Sequence, residues 1–89
     1  MTATDALPER LTTEELRLRR GRWSAAQLRA LPATVDLETA CSVVGMGLWK
    51  GRHLVAEGTF PVRVIRHGSR YVVPTAALLR LLDVDKQVA

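Results

Sequence analysis

The tripeptide Gly45-Met46-Gly47 constrains the fold of this chain most, because it separates two helical patterns by only three residues. The first helix is predicted to begin at Asp36, whose side chain can cap it. Its buried face has apolar residues at helical spacing: Leu37, Ala40, Cys41 and Val44. The second helix is predicted from about Leu48 to Glu57, with Gly58 at the usual carboxyl-end position. Two helices joined by a short turn with glycine have the spacing of a helix-turn-helix.

Two shorter helices are predicted upstream, each from a capping box in which side chain and backbone exchange hydrogen bonds. The boxes pair Thr12 with Glu15, and Ser24 with Gln27. Apolar residues beside them can form hydrophobic staples, Leu11 with Leu16 and Trp23 with Leu28. Gly21 separates these helices, and Pro32 ends the second.

An arginine cluster straddles the junction between these two helices: Arg17, Arg19, Arg20 and Arg22. Two interpretations stay open. The cluster can be a solvated face offset by Glu14 and Glu15 one turn away, or it can add a phosphate contact. The neighbouring Trp23 is more typical of a core or staple residue than of a base-stacking platform.

A β-hairpin is predicted from two β-rich runs, 62–66 and 71–73, that flank the turn residues Gly68-Ser69. The turn pairs Arg66 with Tyr71, Ile65 with Val72 and Val64 with Val73. One face then carries Val62, Val64, Tyr71 and Val73, and the other carries Arg63, His67 and Arg70. A last helix starts at Pro74 and Thr75, and four of its leucines are expected to pack on the core: Leu78, Leu79, Leu81 and Leu82.

The net charge of the chain, +4, is carried by residues 47–74. This segment holds Lys50, Arg52, Arg63, Arg66 and Arg70 against the single acid Glu57, while the charges of the two flanks cancel. A localised basic field on an otherwise neutral small domain is typical of a polyanion binder, because cations set against phosphates release condensed counterions. Nucleic acid is therefore the first partner to consider.

The predicted helix 48–57 has one apolar sector and one polar sector on a helical wheel. Leu48, Gly51, Leu54, Val55 and Gly58 form the buried sector, opposite Trp49, His53 and Ala56, with Lys50 and Arg52 on the flanks. An exposed surface of this kind suits the major groove, which admits one helix. The candidate DNA-binding residues are Trp49, Lys50, Arg52, His53, Arg63, Arg66, His67, Arg70 and Tyr71. The alternatives are a surface helix with an exposed tryptophan and a hairpin made soluble by its arginines.

Other classes of function find little support in these residues. Cys41 is the only cysteine, so an internal disulfide and a cysteine-based zinc site are excluded, and a buried structural thiol is expected. The histidines lack metal-ligand spacing, and neither Ser42 nor Ser69 lies in a nucleophile motif. We expect no enzyme, no metal and no cofactor. No apolar run reaches membrane-spanning length and residues 1–8 do not resemble a signal peptide, so a cytoplasmic, nucleoid-associated protein is expected.

Residues 35–82 resemble the MerR-type winged helix-turn-helix of phage and plasmid excisionases and of related small regulators. The motifs that carry the resemblance are 35–40 leading into Gly45-Met46-Gly47, then Glu57-Gly58-Thr59-Phe60-Pro61, then 66–71 followed by Val73-Pro74. The resemblance implies that helix 48–57 reads the major groove and that the hairpin wing contacts the minor groove or backbone. By position these roles fall on Trp49, Lys50, Arg52 and His53, and on Arg66, Arg70 and Tyr71.

Together these patterns predict a mainly α chain with a two-stranded β-hairpin, a winged helix-turn-helix in a small single domain. Its parts are a disordered arm (1–10), an accessory helical segment (11–33), the winged helix-turn-helix DNA-binding domain (34–83) and a tail (84–89). The predicted function is sequence-specific binding of double-stranded DNA, as an excisionase-like factor or as a small transcriptional regulator. Candidate partners besides DNA are an integrase and further copies of this chain on tandem or paired sites. The alternative is a protein-interaction module anchored by Trp49.

Overall fold

Five helices and a three-stranded sheet make up residues 11–84, the part of the chain that the computed structural model describes. The elements in order are α1 (Thr13–Arg19), α2 (Ala25–Arg29), β1 (Thr34–Asp36), α3 (Leu37–Val44), α4 (Leu48–Glu57), β2 (Ile65–His67), β3 (Arg70–Pro74) and α5 (Thr75–Leu81). The predicted disordered arm, 1–10, and the tail after Val84 lie outside the described residues.

Both predicted capping boxes are confirmed at the start of the first two helices. The Thr12 hydroxyl accepts from the Glu15 backbone N–H, and the Glu15 carboxylate accepts from the Thr12 N–H at 2.9 Å. Ser24 and Gln27 make the same reciprocal pair at the start of α2. Each box satisfies two backbone donors that a helix start would otherwise leave unpaired.

The two predicted helices, and the three residues that connect them, are present in the backbone. Asp36 caps α3 by accepting from the Thr39 N–H at 2.9 Å. Gly45 ends α3 at φ 96° and Gly58 ends α4 at φ 75°, both in the left-handed region that glycine adopts without a β-carbon clash. The turn between α3 and α4 is thus the predicted glycine-flanked tripeptide.

The prediction of a two-stranded sheet is wrong, because a third strand joins it. Thr34–Asp36 forms β1, which pairs antiparallel with β3, so that the strand order is β1-β3-β2. The strand was hidden in the sequence by its length, since three residues are too few to show alternation. The residues before a helix cap are extended in any case, and here they find a partner in β3. The chain is therefore a small mixed domain of helices and an antiparallel sheet.

The hairpin turn and most of its register are as predicted. Arg66 lies opposite Tyr71 and Ile65 opposite Val72, and Gly68 supplies the positive φ, 66°, that the turn needs. The strand bounds differ, since β2 covers only Ile65–His67. The predicted pair of Val64 with Val73 lies beyond this ladder, and Val73 pairs with Val35 of β1 instead.

The core lies where the sheet meets α3 and α5. Its buried residues are Leu28, Val35, Ala40, Val43, Val73 and Leu78, with Trp23, Phe60, Val62 and Val64 packed against them. Leu81 and Leu82 are 43% and 40% exposed, so the prediction that they pack on the core is wrong. α5 is only seven residues long, its buried residues are Thr75 and Leu78, and the half-buried Leu79 packs against the core as predicted.

Ser42 joins the amino-terminal helices to α3. Its buried hydroxyl donates to the Leu16 carbonyl oxygen and accepts from Trp23 Nε1 at 2.9 Å, while its own carbonyl accepts from the Gly21 N–H at 3.0 Å. Leu16 and Leu28 are buried as well. Segment 11–33 therefore shares one packed interior with the rest of the domain, and Trp23 has the structural role predicted for it.

The crossing of α3 and α4 depends on a residue without a side chain. A β-carbon built on Gly51 would overlap the Sγ atom of Cys41 and would contact the Phe60 ring at 3.6 Å. Cys41 is 1% exposed, as predicted for a structural thiol, and has no room to withdraw into solvent. The two helices thus approach as closely as a glycine permits.

We predict that Gly51→Ala destabilises the domain by about 1 to 3 kcal/mol through overpacking, although alanine is the better helix former. Urea unfolding followed by circular dichroism measures this. Adding Cys41→Ala removes the overlapping Sγ, so the double variant should recover part of the lost stability. Ala56→Gly is the control for helix propensity, since it exchanges the same two residues at an exposed position of α4. A single Gly51→Ala variant as stable as the parent would contradict the close approach.

We also predict that the domain loses stability in alkali through Cys41. Burial, with a smaller contribution from the Glu38 carboxylate, raises the pKa of this thiol from 9.0 to about 11. The folded state therefore binds the thiol proton more tightly than the unfolded chain does. Its stabilising effect is complete below pH 9 and is lost as the pH rises from 9 to 11, by about 2 kcal/mol. The free energy of unfolding of the parent and of Cys41→Ala is measured between pH 9 and pH 11. If both proteins lose the same stability over this range, the thiol is not the cause.

Candidate nucleic-acid interface

The outward face of α4 carries the side chains that the sequence assigned to it. Trp49 is 86% exposed, and Lys50, Arg52 and His53 are exposed as well, while Gly51 is buried. Within residues 11–84, the side chains of Trp49, Lys50 and Arg52 make no hydrogen bond, ion pair or ring contact. These three groups are therefore available to a partner without any internal contact being broken.

His53 differs from its neighbours because it has an internal partner. Its Nε2 lies 3.0 Å from a carboxylate oxygen of Glu57, one turn further along α4. Glu57 is the single acid of the basic segment 47–74. A contact from Nε2 to DNA would have to replace this pair, so the structure leaves His53 a weaker candidate than Lys50 or Arg52.

Four basic side chains lie in or beside the hairpin, and one of them makes internal contacts while the other three are exposed to solvent. Arg66 Nε donates to the Gly68 carbonyl oxygen at 3.2 Å, and its guanidinium lies 5.8 Å from the centre of the Tyr71 ring. Arg63, His67 and Arg70 are exposed and make no such contacts within the described residues. Arg66 is therefore oriented in advance, which reduces the entropy lost when a guanidinium binds a partner.

An open groove of about 730 Å³ lies between α4 and the tip of the hairpin. Arg52 enters its lining from α4, and Arg70 enters from β3. The remaining lining residues are Asp36, Leu37, Glu38, Leu48, Ser69 and Tyr71. The candidate residues of the helix and of the hairpin therefore border one shared opening.

A second groove, of about 520 Å³, is also bordered by residues of α4 and of the hairpin region. Val55 and Ala56 line it from the helix, and Arg63, Arg66 and Tyr71 line it from the other side. Tyr71 thus borders both grooves, with its ring half-buried between them. Residues of α4 and of the hairpin region therefore border both grooves.

The sequence did not indicate that acids line the first groove. Asp36 and Glu38 stand at the start of α3, and both border the opening that holds Arg52 and Arg70. Asp36 already accepts a hydrogen bond as the helix cap. The groove is therefore of mixed charge, with its free cations on α4 and the hairpin. Only the packing of α3 beside the hairpin brings these acids to the site.

The arginines of the first two helices differ in their surroundings, so the two interpretations, a solvated face and a phosphate contact, do not apply to all of them alike. Arg17 is exposed and forms an ion pair with Glu14 at 2.9 Å, as predicted for a solvated face. Arg19 is half-buried, with its guanidinium 5.0 Å from the centre of the Trp23 ring. Arg20 lies beside α4 instead, since a β-carbon on Gly47 would lie 3.6 Å from its guanidinium. Sequence reasoning had no signal to separate Arg20 from the others.

A third opening, of about 200 Å³, connects this cluster to the site. Arg17 and Arg20 line it together with Glu38 and Leu48. Glu38 and Leu48 also border the first groove, so the two openings meet at the start of α4. Arginines therefore border both openings, and the Glu38 carboxylate belongs to the lining of each.

Two other kinds of feature are absent from residues 11–84. No group of three or more His, Cys, Asp or Glu side chains there is arranged to hold a metal ion. Within the same residues, none of the helices has both the length and the apolar character that crossing a membrane requires.

Comparison with known proteins adds no relative to this description. No family model matches the chain, and neither does any curated protein or solved structure. The chemistry of the surface described above is therefore what supports a function.

Proposed function

We propose that this chain is a sequence-specific double-stranded DNA-binding protein of the winged helix-turn-helix type, with α4 in the major groove and the hairpin as wing. One observation carries the proposal: Arg52 of α4 and Arg70 of the hairpin line one open groove, and both guanidinium groups are free of internal partners among residues 11–84. Guanidinium and ammonium groups on two neighbouring elements can engage adjacent strands of one duplex.

The dimensions of α4 suit this role. A helix with its side chains is about 10 to 12 Å in diameter, and the major groove is about 12 Å wide, so the groove admits it. The ten residues of α4 make a helix about 15 Å long. Lys50 and Trp49 project from its first turn, which is the part of a reading helix that meets base edges. Lys50 can donate to guanine O6 or N7, so we assign it a base contact.

The hairpin suits contacts to phosphates or to the minor groove. Arg66 and Arg70 lie in the two strands of the hairpin, and Arg63 lies two residues before the first strand. Arginine is the side chain best shaped for phosphate oxygens. Arg66 is already oriented by Gly68 and Tyr71. A contact of this kind fixes the register of the protein on the duplex and carries little sequence information.

The resemblance of residues 35–82 to excisionases and small regulators agrees with this role, as an architectural factor or as a transcriptional regulator. A single module of this size buries too little surface for high affinity. Binding of several copies to tandem or paired sites, or binding beside an integrase, would supply the rest. The spacing of protected sites in a footprint distinguishes direct repeats from inverted ones.

A second candidate is a protein-interaction module. It is favoured by one observation, the 86% exposure of Trp49, because tryptophan is frequent among the anchors of protein interfaces. We prefer DNA because the cations beside Trp49 are unpaired, and interface cores are depleted of lysine. Catalysis is not proposed, since neither groove holds a hydroxyl that is hydrogen-bonded to a base within residues 11–84.

We predict that affinity for duplex DNA falls steeply with salt. With three to six phosphate contacts, the logarithm of the association constant should fall with the logarithm of salt concentration with a slope of about −3 to −5. Fluorescence anisotropy on random and genomic duplexes measures it. Arg70→Ala should weaken binding to all sequences alike and reduce the slope by about 1.

Arg80→Ala is the matched control for Arg70→Ala, because it removes the same charge from an exposed position on α5, away from the grooves. It should leave the affinity and the slope close to those of the parent. An equal effect of both variants would mean that overall charge, and not this surface, drives binding. A flat salt dependence with retained binding would favour an apolar protein-type contact instead.

We predict a different result for Lys50→Ala, since we assign this residue to a base edge. Selection of duplexes from a random library should return a site that has lost its preference at one or two positions, by about 1 to 3 kcal/mol each. Arg70→Ala should return the parental site. A Lys50→Ala variant that is weakened equally on every sequence would place Lys50 on the backbone.

A further inference from the structure

We propose that Trp49 is the residue that selects thymine within the DNA site, by contacting its methyl group and donating to its O4 atom. This inference rests on the proposed function, since it needs α4 in the major groove. It goes beyond that function because it assigns one base to one side chain. The observation that motivates it is the difference between the two tryptophans of the chain.

The two tryptophans have opposite environments. Trp23 is half-buried, and its Nε1 donates to Ser42 Oγ at 2.9 Å. Trp49 is 86% exposed, and its Nε1 has no acceptor within residues 11–84. When such a side chain binds a partner, both its apolar ring and its N–H group lose water. Binding is therefore strongest where the partner offers an apolar contact to the ring and an acceptor to the N–H.

The position of Trp49 limits which partner that is. It is the second residue of α4, between the half-buried Leu48 and the exposed Lys50. If α4 lies in the major groove, its first turn is adjacent to base edges, and Trp49 lies beside a residue assigned to one. A ring at this position meets a base pair before it reaches the phosphates.

The chemistry of the four bases then selects one of them. An indole offers an apolar face and a single N–H donor, and it has no acceptor. In the major groove, thymine presents a methyl group and an acceptor, O4. Cytosine presents a donor at N4, and adenine and guanine present no methyl group. Thymine alone satisfies the apolar face and the donor together.

The test uses the full chain and a duplex selected from a random library with the parent protein. Each thymidine of the selected site is replaced in turn by deoxyuridine, which lacks the methyl and still pairs with adenine. It is also replaced by 5-methyldeoxycytidine paired with deoxyguanosine, which keeps the methyl but presents a donor. We expect one position where deoxyuridine weakens binding about fourfold, the factor for burying one methyl-sized group. At the same position 5-methyldeoxycytidine should weaken binding about tenfold or more.

Two variants of Trp49 separate the apolar contact from the hydrogen bond. Trp49→Ala should bind deoxyuridine and thymidine duplexes equally at that position. Trp49→Phe keeps an apolar face without a donor, so it should retain the methyl effect and lose most of the penalty for 5-methyldeoxycytidine. Trp23→Phe is the matched control, since it loses a donor in the interior and should keep the parental base preference.

The outcomes distinguish this inference from the function on which it rests. If the parent binds one site strongly but no position responds to the methyl, or if Trp49→Ala keeps the response, the assignment is wrong and DNA binding stands. If Trp49→Ala binds with unchanged affinity and preference, Trp49 is left to a protein partner. If the parent binds no duplex at any salt concentration, the proposed function and this inference both fail. Circular dichroism confirms folding, which an exposed side chain should not affect.

Discussion

The close contact between α3 and α4 at Cys41 and Gly51 determines which face of α4 meets solvent. Because Gly51 has no β-carbon, its backbone rests against the buried Sγ of Cys41. With Gly51 turned inward, the 3.6-residue period places Trp49 and His53 on the outer side of α4. A rotation of α4 by one residue would bury a charged or a large side chain at this contact, so the packing permits one orientation. The exposed surface of the site is thus a consequence of what the interior can hold.

The third strand, β1, fixes the position of the hairpin relative to the helices. β1 pairs with β3 and runs directly into the cap of α3, so Val35 and Val73 connect the hairpin to the helices through backbone hydrogen bonds. An isolated two-stranded hairpin is marginally stable in water, and a third strand with a buried face stabilises it. Val73 is fully buried in this sheet. Arg70 therefore extends from an anchored strand, and its distance from Arg52 is set by the sheet rather than by a free loop.

The parts of the fold that were predicted correctly depend on interactions between near neighbours in the chain. Asp36 caps a helix through a residue three positions away, and Gly58 ends one by its own φ. The parts that were missed depend on distant residues. β1 exists because Val35 meets Val73, and the exposure of Leu81 depends on where the sheet ends beneath α5. In the same way, charge and helical period indicated the candidate residues of α4, but not Asp36 and Glu38 at the groove or the special place of Arg20.

The acids around the candidate interface make its charge distribution uneven, with negative groups next to the arginines. Asp36 and Glu38 border the groove between Arg52 and Arg70, and Glu57 is paired with His53 at the far end of α4. A phosphate close to these carboxylates would be repelled, while one along the arginines would be attracted, and at distances of a few ångströms salt screens neither effect fully. A uniformly positive surface would accept a duplex in many registers. In the complex proposed above, the acids would reduce the number of registers, so that repulsion as well as attraction would define the position of Trp49 and Lys50 relative to the bases.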